Sequence, residues 1–310
     1  MVCFNRFMKV FITRILFTLL FFSIGLVNSV SSQNAQPKIY YTAMGDSIAA
    51  GYSNDGQSYV GFFLNNTEVD TGFDVELINK TRNGWESENL LNGLGTQSFQ
   101  TSIQNSNIVT WQIGGNDFIQ ARFRYLDGGC GGSDNQDCLR SVVSEVQNNW
   151  EAIFEEILSL RQTNRHMLRV IDLYNPFINA DRNSDSWSTN EDCEKVLCND
   201  YEIFKPYFDQ INLQLENLAN EHDVPLVKVS ITFNGPNGDE DPGDKGYITF
   251  DGIHPNDRGH EVIAQLISDS GYSPIWPPAQ SDGSDSDGDG VPDEDDLCPN
   301  FAGSPQTDGC

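Results

Sequence analysis

The chain has 310 residues, with 45 acidic against 18 basic side chains and a formal net charge of −27 at pH 7. A surface of that sign repels nucleic-acid phosphates and anionic lipid headgroups, which weighs against nucleic acid as a partner. An apolar share of 38% still leaves ample material for a buried core.

The chain opens with Arg6, Lys9 and Arg14 and no acid, then an apolar run from Ile15 to Val27, then small polar residues from Asn28 to Ser32. This pattern predicts a secretory signal peptide over residues 1–31, so that the mature protein is secreted or held at the cell surface without stable membrane insertion. The run is short beside the roughly 20 apolar residues of a spanning helix. An uncleaved anchor that recruits Phe7 to Ile12 is the rival reading. Loss of Cys3 leaves six of the seven cysteines, in three close couples: Cys130 with Cys138, Cys193 with Cys198, and Cys298 with Cys310. An even count in an exported chain favours disulfides, although pairing by proximity is only one of many connectivities open to six cysteines. No CxxC motif is present, which argues against zinc or redox work by these thiols.

Residues 33–276 form the main predicted domain. Lys38 to Met44, Phe73 to Asn79, Asn107 to Ile113, Met167 to Tyr174 and Val224 to Val229 are short apolar segments, rich in β-branched or aromatic residues and bounded by Gly, Asn or Pro. Each reads as a buried strand. Leu139 to Leu160 carries apolar residues at helical spacing, as do Tyr201 to Leu218 and Val262 to Ile267. Strand, helix, strand in this rhythm predicts an α/β fold: a three-layer α/β/α sandwich on a five-stranded parallel sheet, its site at the carboxyl ends of the strands. Ala121 to Cys138 and Ala180 to Asn199 break the rhythm and read as polar surface insertions, each stapled by a cysteine couple.

The chemistry gathers at four strand ends. Gly45-Asp46-Ser47-Ile48-Ala49-Ala50-Gly51 follows the first strand, where small residues leave a serine hydroxyl exposed at a strand-to-helix turn. Far along the chain lies Asp251-Gly252-Ile253-His254-Pro255-Asn256. Neutral imidazole has a pKa of about 6.5, suited to taking a serine proton, and a carboxylate three residues earlier can hold Nδ1 and present Nε2. His254 is therefore the candidate base and Asp251 its orienter. A tetrahedral intermediate also needs oxyanion donors. Ile113-Gly114-Gly115-Asn116-Asp117 offers the Asn116 amide, and Asn83-Gly84-Trp85 offers a backbone N–H at Gly84. Phe118, Tyr174, Pro176 and Phe177 sit at strand ends where they line an apolar acyl pocket or belong to the core. Of the other imidazoles, His166 and His222 read as helix-to-strand linkers and His260 as a helix-surface residue.

Taken in order and on these strand ends, GDSIAAG, the Gly84 loop, GGND and DGIHPN resemble the four blocks of the GDSL or SGNH hydrolases, over about Tyr40 to Ile267. The resemblance implies a flavodoxin-like SGNH hydrolase fold and hydrolysis of ester or thioester bonds without a catalytic metal or cofactor. It implies Ser47 as nucleophile and oxyanion donor, Gly84 and Asn116 as further donors, His254 as base and Asp251 as its orienter. Arg82-Asn83-Gly84-Trp85 departs from the small-residue run of many relatives. Some secreted relatives with such inserts orient the histidine through backbone carbonyls instead of an aspartate. The expected activity is that of a secreted serine esterase or lipase working through an acyl-enzyme on a small-molecule, lipid or acetylated-sugar ester. An acyltransferase with the same nucleophile is the first alternative. The second is a calcium-dependent surface or adhesion protein with an idle hydrolase domain.

Composition changes after Trp276, and residues 281–310 hold eight Asp, one Glu and no Lys or Arg. Asp285, Asp287, Asp289, Asp293 and Asp296 take positions 1, 3, 5, 9 and 12 of a twelve-residue loop with Gly290 at position 6 and the Val291 carbonyl at 7. That is the oxygen-ligand spacing of a calcium loop. The flanks cannot be EF-hand helices, and the segment resembles a thrombospondin type 3 repeat, which implies structural calcium and attachment at a cell surface or matrix. The fold class therefore includes a small irregular calcium-binding C-terminal segment.

Overall fold

Side chains alternate across each strand, so a buried parallel sheet needs apolar residues on both faces. A computed structural model describes residues 38–53, 57–161, 167–186 and 199–275, together with 286–288, 291, 298 and 303. Strands β1 (Lys38–Gly45), β2 (Asp74–Thr81), β3 (Ile108–Gln112), β4 (Met167–Ile171) and β5 (Leu226–Val227) form one parallel sheet in the order β2-β1-β3-β4-β5. This is the doubly wound order whose crevice lies at the carboxyl ends of β1 and β3. The helices are α1 (Ser47–Ala50), α2 (Tyr59–Thr71), α3 (Ser87–Leu94), α4 (Gln97–Asn105), α5 (Gly115–Leu126), α6 (Asp137–Leu160), α7 (Ile178–Arg182), α8 (Asp200–Glu221), α9 (Val229–Asn234) and α10 (Asp257–Asp269).

One face of the sheet presents Met44, Val109, Trp111, Leu168 and Val170 to α3, α5, α6 and α8. The other presents Ile39, Tyr41, Ala43, Ile108, Met167 and Ile171 to α2, α9 and α10. Helix α6 shows why the layers hold: Val142, Val143, Val146, Trp150, Ile153, Phe154 and Ile157 recur at helical spacing and are all buried. Arg169, in the middle of β4, is buried as well; its guanidinium donates to the Ser270 and Gly271 carbonyls at 3.0 and 2.6 Å, just past the end of α10. Those are helix-end acceptors that the helix itself leaves open. Among the described residues no helix is long and apolar enough to cross a membrane.

The structure departs from expectation in three places. Strand β5 pairs over two residues only: just ahead of it Pro225 accepts from Val170 at 3.2 Å but has no N–H to give in return. Ala121 to Leu126 is no insertion but the end of α5, with Ala121, Arg122 and Tyr125 buried. Arg122 is tolerated there because the Asp181 carboxylate meets it, its Nε lying 3.0 Å from Asp181 Oδ1. His260 is not on a helix surface either: it is fully buried, and its Nδ1 accepts the Tyr59 N–H at 3.2 Å. That N–H opens α2, whose N-cap Ser58 makes no side-chain cap bond, so the imidazole supplies the missing acceptor.

Burial lowers the His260 pKa from 6.5 to about 4. The folded state thus binds fewer protons than the unfolded chain, and the stability this site contributes is present above pH 6.5 and drains away as pH falls towards 4, by about 3 kcal/mol in all. His260→Gln keeps an acceptor for Tyr59 but does not titrate. Thermal melts from pH 7 to 4.5 should show wild type losing stability relative to this variant; parallel curves would refute the assignment.

Cys130 and Cys138 form a disulfide with Cα atoms 4.8 Å apart, tying the loop after α5 to the start of α6. Cys298 is buried and also disulfide-bonded. The second expected couple falls elsewhere: Cys193 and Cys198 both lie outside the described residues, so the staple expected for the insertion from Ala180 to Asn199 is not among the bonds described. Cys310, the signal peptide and the calcium-loop positions Asp285, Asp289, Asp293 and Asp296 lie outside the described residues as well. Asp287 and Val291 lie within them, and Val291 is buried. Among the described residues no group of three or more His, Cys, Asp or Glu is placed to hold a metal ion.

Candidate active site

Ser47 is the first residue of α1, directly beyond the carboxyl end of β1. Asp46 caps that short helix, its Oδ1 accepting the Ile48 N–H at 2.9 Å. The N–H of a first helical residue has no acceptor within its own helix, so that of Ser47 is left for an acceptor outside it. Burial raises the Asp46 carboxyl to about 7, with the nearby Asp117 charge adding to the effect.

Asp251-Gly-Ile-His254 is a tight turn leading into α10. A single oxygen of Asp251, Oδ1, accepts from the Thr249 hydroxyl at 2.8 Å, the Ile253 N–H at 2.9 Å and the His254 N–H at 3.0 Å. Oδ2 is thereby free for the imidazole and lies 2.8 Å from His254 Nδ1. On the far side of the ring, Nε2 lies 2.9 Å from Ser47 Oγ. The two residues are 207 positions apart in sequence and meet because β1 and α10 both deliver their turns to the same sheet end. Burial pushes the Asp251 carboxyl up, but the bonds from the His254 and Ile253 backbone, the Ser53 hydroxyl and the His254 ring outweigh it and hold the group well below the usual carboxylate range. Asp251 is therefore charged at neutral pH.

The remaining two loops close around this line. Arg82 N–H donates to the Gly45 carbonyl at 2.9 Å, which ties the Gly84 loop to the strand that carries Ser47. Gly84 has φ of +76°, a conformation that L side chains seldom adopt. Gly114, at φ +114°, is held to glycine twice over, since a Cβ there would stand 2.8 Å from the Trp150 ring. The Asn116 Nδ2 group gives one hydrogen to the Trp85 carbonyl at 2.8 Å and keeps a second. Asp117 binds the Ser87 N–H at 2.9 Å and its hydroxyl at 2.6 Å, so the loop after β2 and the start of α5 move as one piece. Phe118, Tyr174, Pro176 and Phe177 line one small apolar slot, with Ile48, Gly115 and Ile253 also in its wall.

Two contributors had no sequence signal. Tyr52 packs its ring edge-on to that of His254, with centroids 5.0 Å apart, and its N–H donates to the Ser47 carbonyl at 2.9 Å. Ser53, at a left-handed φ of +65°, sends its hydroxyl to Asp251. A strained residue of this kind beside a site is a pointer only once the structure is seen.

A family model described as GDSL-like lipase/acylhydrolase matches residues 41–267, most of the chain. The chain belongs to that family. It is a carboxylic ester hydrolase of the lipase and esterase kind. Among characterised sequences, the spore germination lipase LipC of Bacillus licheniformis is 24% identical over 238 residues, which is 76% of this chain and 97% of LipC. An uncharacterised protein of Bacillus subtilis, YpmR, is 26% identical across 74% of this chain and 80% of its own length. Among solved structures, the lipase Lip_vut3 from a goat rumen metagenome superposes with a TM-score of 0.61 at 21% identity, covering 77% of this chain and all of that one. The lipase/acylhydrolase of Enterococcus faecalis superposes with a TM-score of 0.51 at 18% identity, covering 77% and 98% of the two chains. At such identities the superpositions speak for the fold.

Proposed function

We propose that this hydrolase is an exported serine esterase acting through an acyl-enzyme, with Ser47 as nucleophile, His254 as base and Asp251 as orienter. The 2.9 Å approach of His254 Nε2 to Ser47 Oγ carries the reading. Ser47 Oγ attacks the ester carbonyl carbon while Nε2 takes its proton. The carbonyl oxygen becomes an oxyanion held by the N–H groups of Ser47 and Gly84 and by Asn116 Nδ2. As the intermediate collapses the C–O bond to the alcohol breaks, and Nε2 returns the proton to the departing oxygen. Water then attacks the acyl-serine with His254 again as base, releasing the carboxylic acid and restoring Ser47. The basic and apolar start of the chain and the Cys130–Cys138 disulfide support an exported setting. The carboxylate spacing from Asp285 to Asp296 supports a structural calcium loop of thrombospondin type 3 kind, with no part in the chemistry.

A fluorophosphonate probe tests the nucleophile directly. Peptide mapping should find one adduct, on Ser47, and activity should fall in step with its formation. Full inactivation with the label on another residue would overturn the assignment.

A further inference from the structure

The apolar slot beside Ser47 is small. Its lining includes Ile48, Gly115 and Ile253, the chain neighbours of Ser47, Asn116 and His254, which sets it beside the catalytic groups. Its volume is about 30 Å³. That is room for about two or three water-sized groups. Phe177 and Phe208 line it as well.

Neither ring is loosely held. Phe208 packs edge-on against Phe118, centroids 5.3 Å apart, and is buried. Phe177 lies under the Arg122 guanidinium, 4.1 Å from its centre, and the buried Asp181 partner fixes that guanidinium in turn. The Phe177 carbonyl accepts the Asp181 N–H at 2.8 Å, closing the loop on itself.

A second and larger cavity of about 270 Å³ adjoins the slot between α8 and the β5–α9 edge, with a mixed lining in which Leu213, Leu226 and Ile231 stand beside Lys205, Asp209 and Glu216. Phe208 and Asn175 line both cavities. Around His254 and Asp251 the surroundings are open: Tyr52 is half exposed beside His254, and Phe250, next to Asp251, is 97% exposed. The imidazole returns its proton to the alcohol oxygen, so the alcohol leaves on that open side and the closed slot is left for the acyl group.

We propose that the slot is the acyl site, that it admits acyl groups of about two to four carbons, and that Phe208 sets this limit by separating it from the larger cavity. The proposal rests on the acyl-enzyme reading above. A longer chain must displace a packed aromatic ring, whereas in an open apolar pocket each added methylene would tighten binding.

The test uses the full chain and p-nitrophenyl esters that differ only in acyl length, from two to twelve carbons. Wild type should lose at least about tenfold in kcat/KM between the two-carbon and eight-carbon esters, and Phe208→Ala should raise the eight-to-two-carbon ratio at least about tenfold. Should the alanine variant fail to fold, Phe208→Leu removes part of the same ring at lower risk to the core. A wild type that prefers eight carbons or more, or a variant that turns over the two-carbon ester with an unchanged length profile, overturns the gate while leaving the esterase reading intact. A wild type inert towards every ester, with Ser47 unlabelled by fluorophosphonate, overturns the esterase reading and the gate with it.

Discussion

Replacement of His254 by alanine is expected to lower kcat on a short acyl ester by about four to six orders of magnitude and to slow phosphonate labelling of Ser47 in parallel. The size follows from what the imidazole alone supplies. A serine hydroxyl near neutral pH is almost wholly protonated, and no other base touches Ser47 Oγ among the described residues. What survives should be the rate due to the proposed oxyanion donors at Ser47, Gly84 and Asn116, which the substitution leaves in place. KM should move little, since the ring holds a proton rather than the substrate. The fold should also survive, because the bonds that shape the turn use the His254 backbone, its N–H to Asp251 and its carbonyl to Thr249 N–H at 2.8 Å. A thermal melt within a few degrees of wild type, beside a kcat still above about one hundredth of it, would mean that another group does this work.

How much of this was written locally is clearest residue by residue. The strands announced themselves as apolar β-branched runs because both sheet faces are covered, and the paired strands fall where those runs lie. Ser47 and Asn116 sit in short motifs just past the ends of β1 and β3, and Asp251 and His254 in the turn ahead of α10; the order of these blocks along the chain carries the information. Arg122 was illegible because its counterion, Asp181, lies 59 positions away and nothing near Arg122 hints at it. Tyr52 and Ser53 were illegible for the same reason, since each acquires meaning only from a partner brought in by α10. His260 is a different case. It stands three, four and seven positions before Ile263, Ala264 and Ile267, all buried on one face of α10, so the helical period already placed the imidazole in the core. The usual exposure of histidine is here outweighed by the helical period.

Asp251→Asn is expected to cost about three to four orders of magnitude in kcat at neutral pH, and it decides between the carboxylate and backbone carbonyls as the orienter of His254. The substitution is unusually clean here because the two carboxylate oxygens have separate duties. Oδ1 alone binds the Thr249 hydroxyl and the Ile253 and His254 N–H groups, and an asparagine oxygen in its place can keep all three. Oδ2 faces the ring nitrogen, at 2.8 Å, and there asparagine would present an N–H donor. A donor at that point makes Nδ1 the acceptor and leaves the ring proton on Nε2, facing Ser47 Oγ, which is the wrong tautomer for a base. The damage should therefore fall on kcat with the turn intact, and the phosphonate reaction at Ser47 should slow by a similar factor. Were a backbone carbonyl to orient the ring instead, the variant would keep kcat within about tenfold of wild type, and Asp251 would be left with the turn alone.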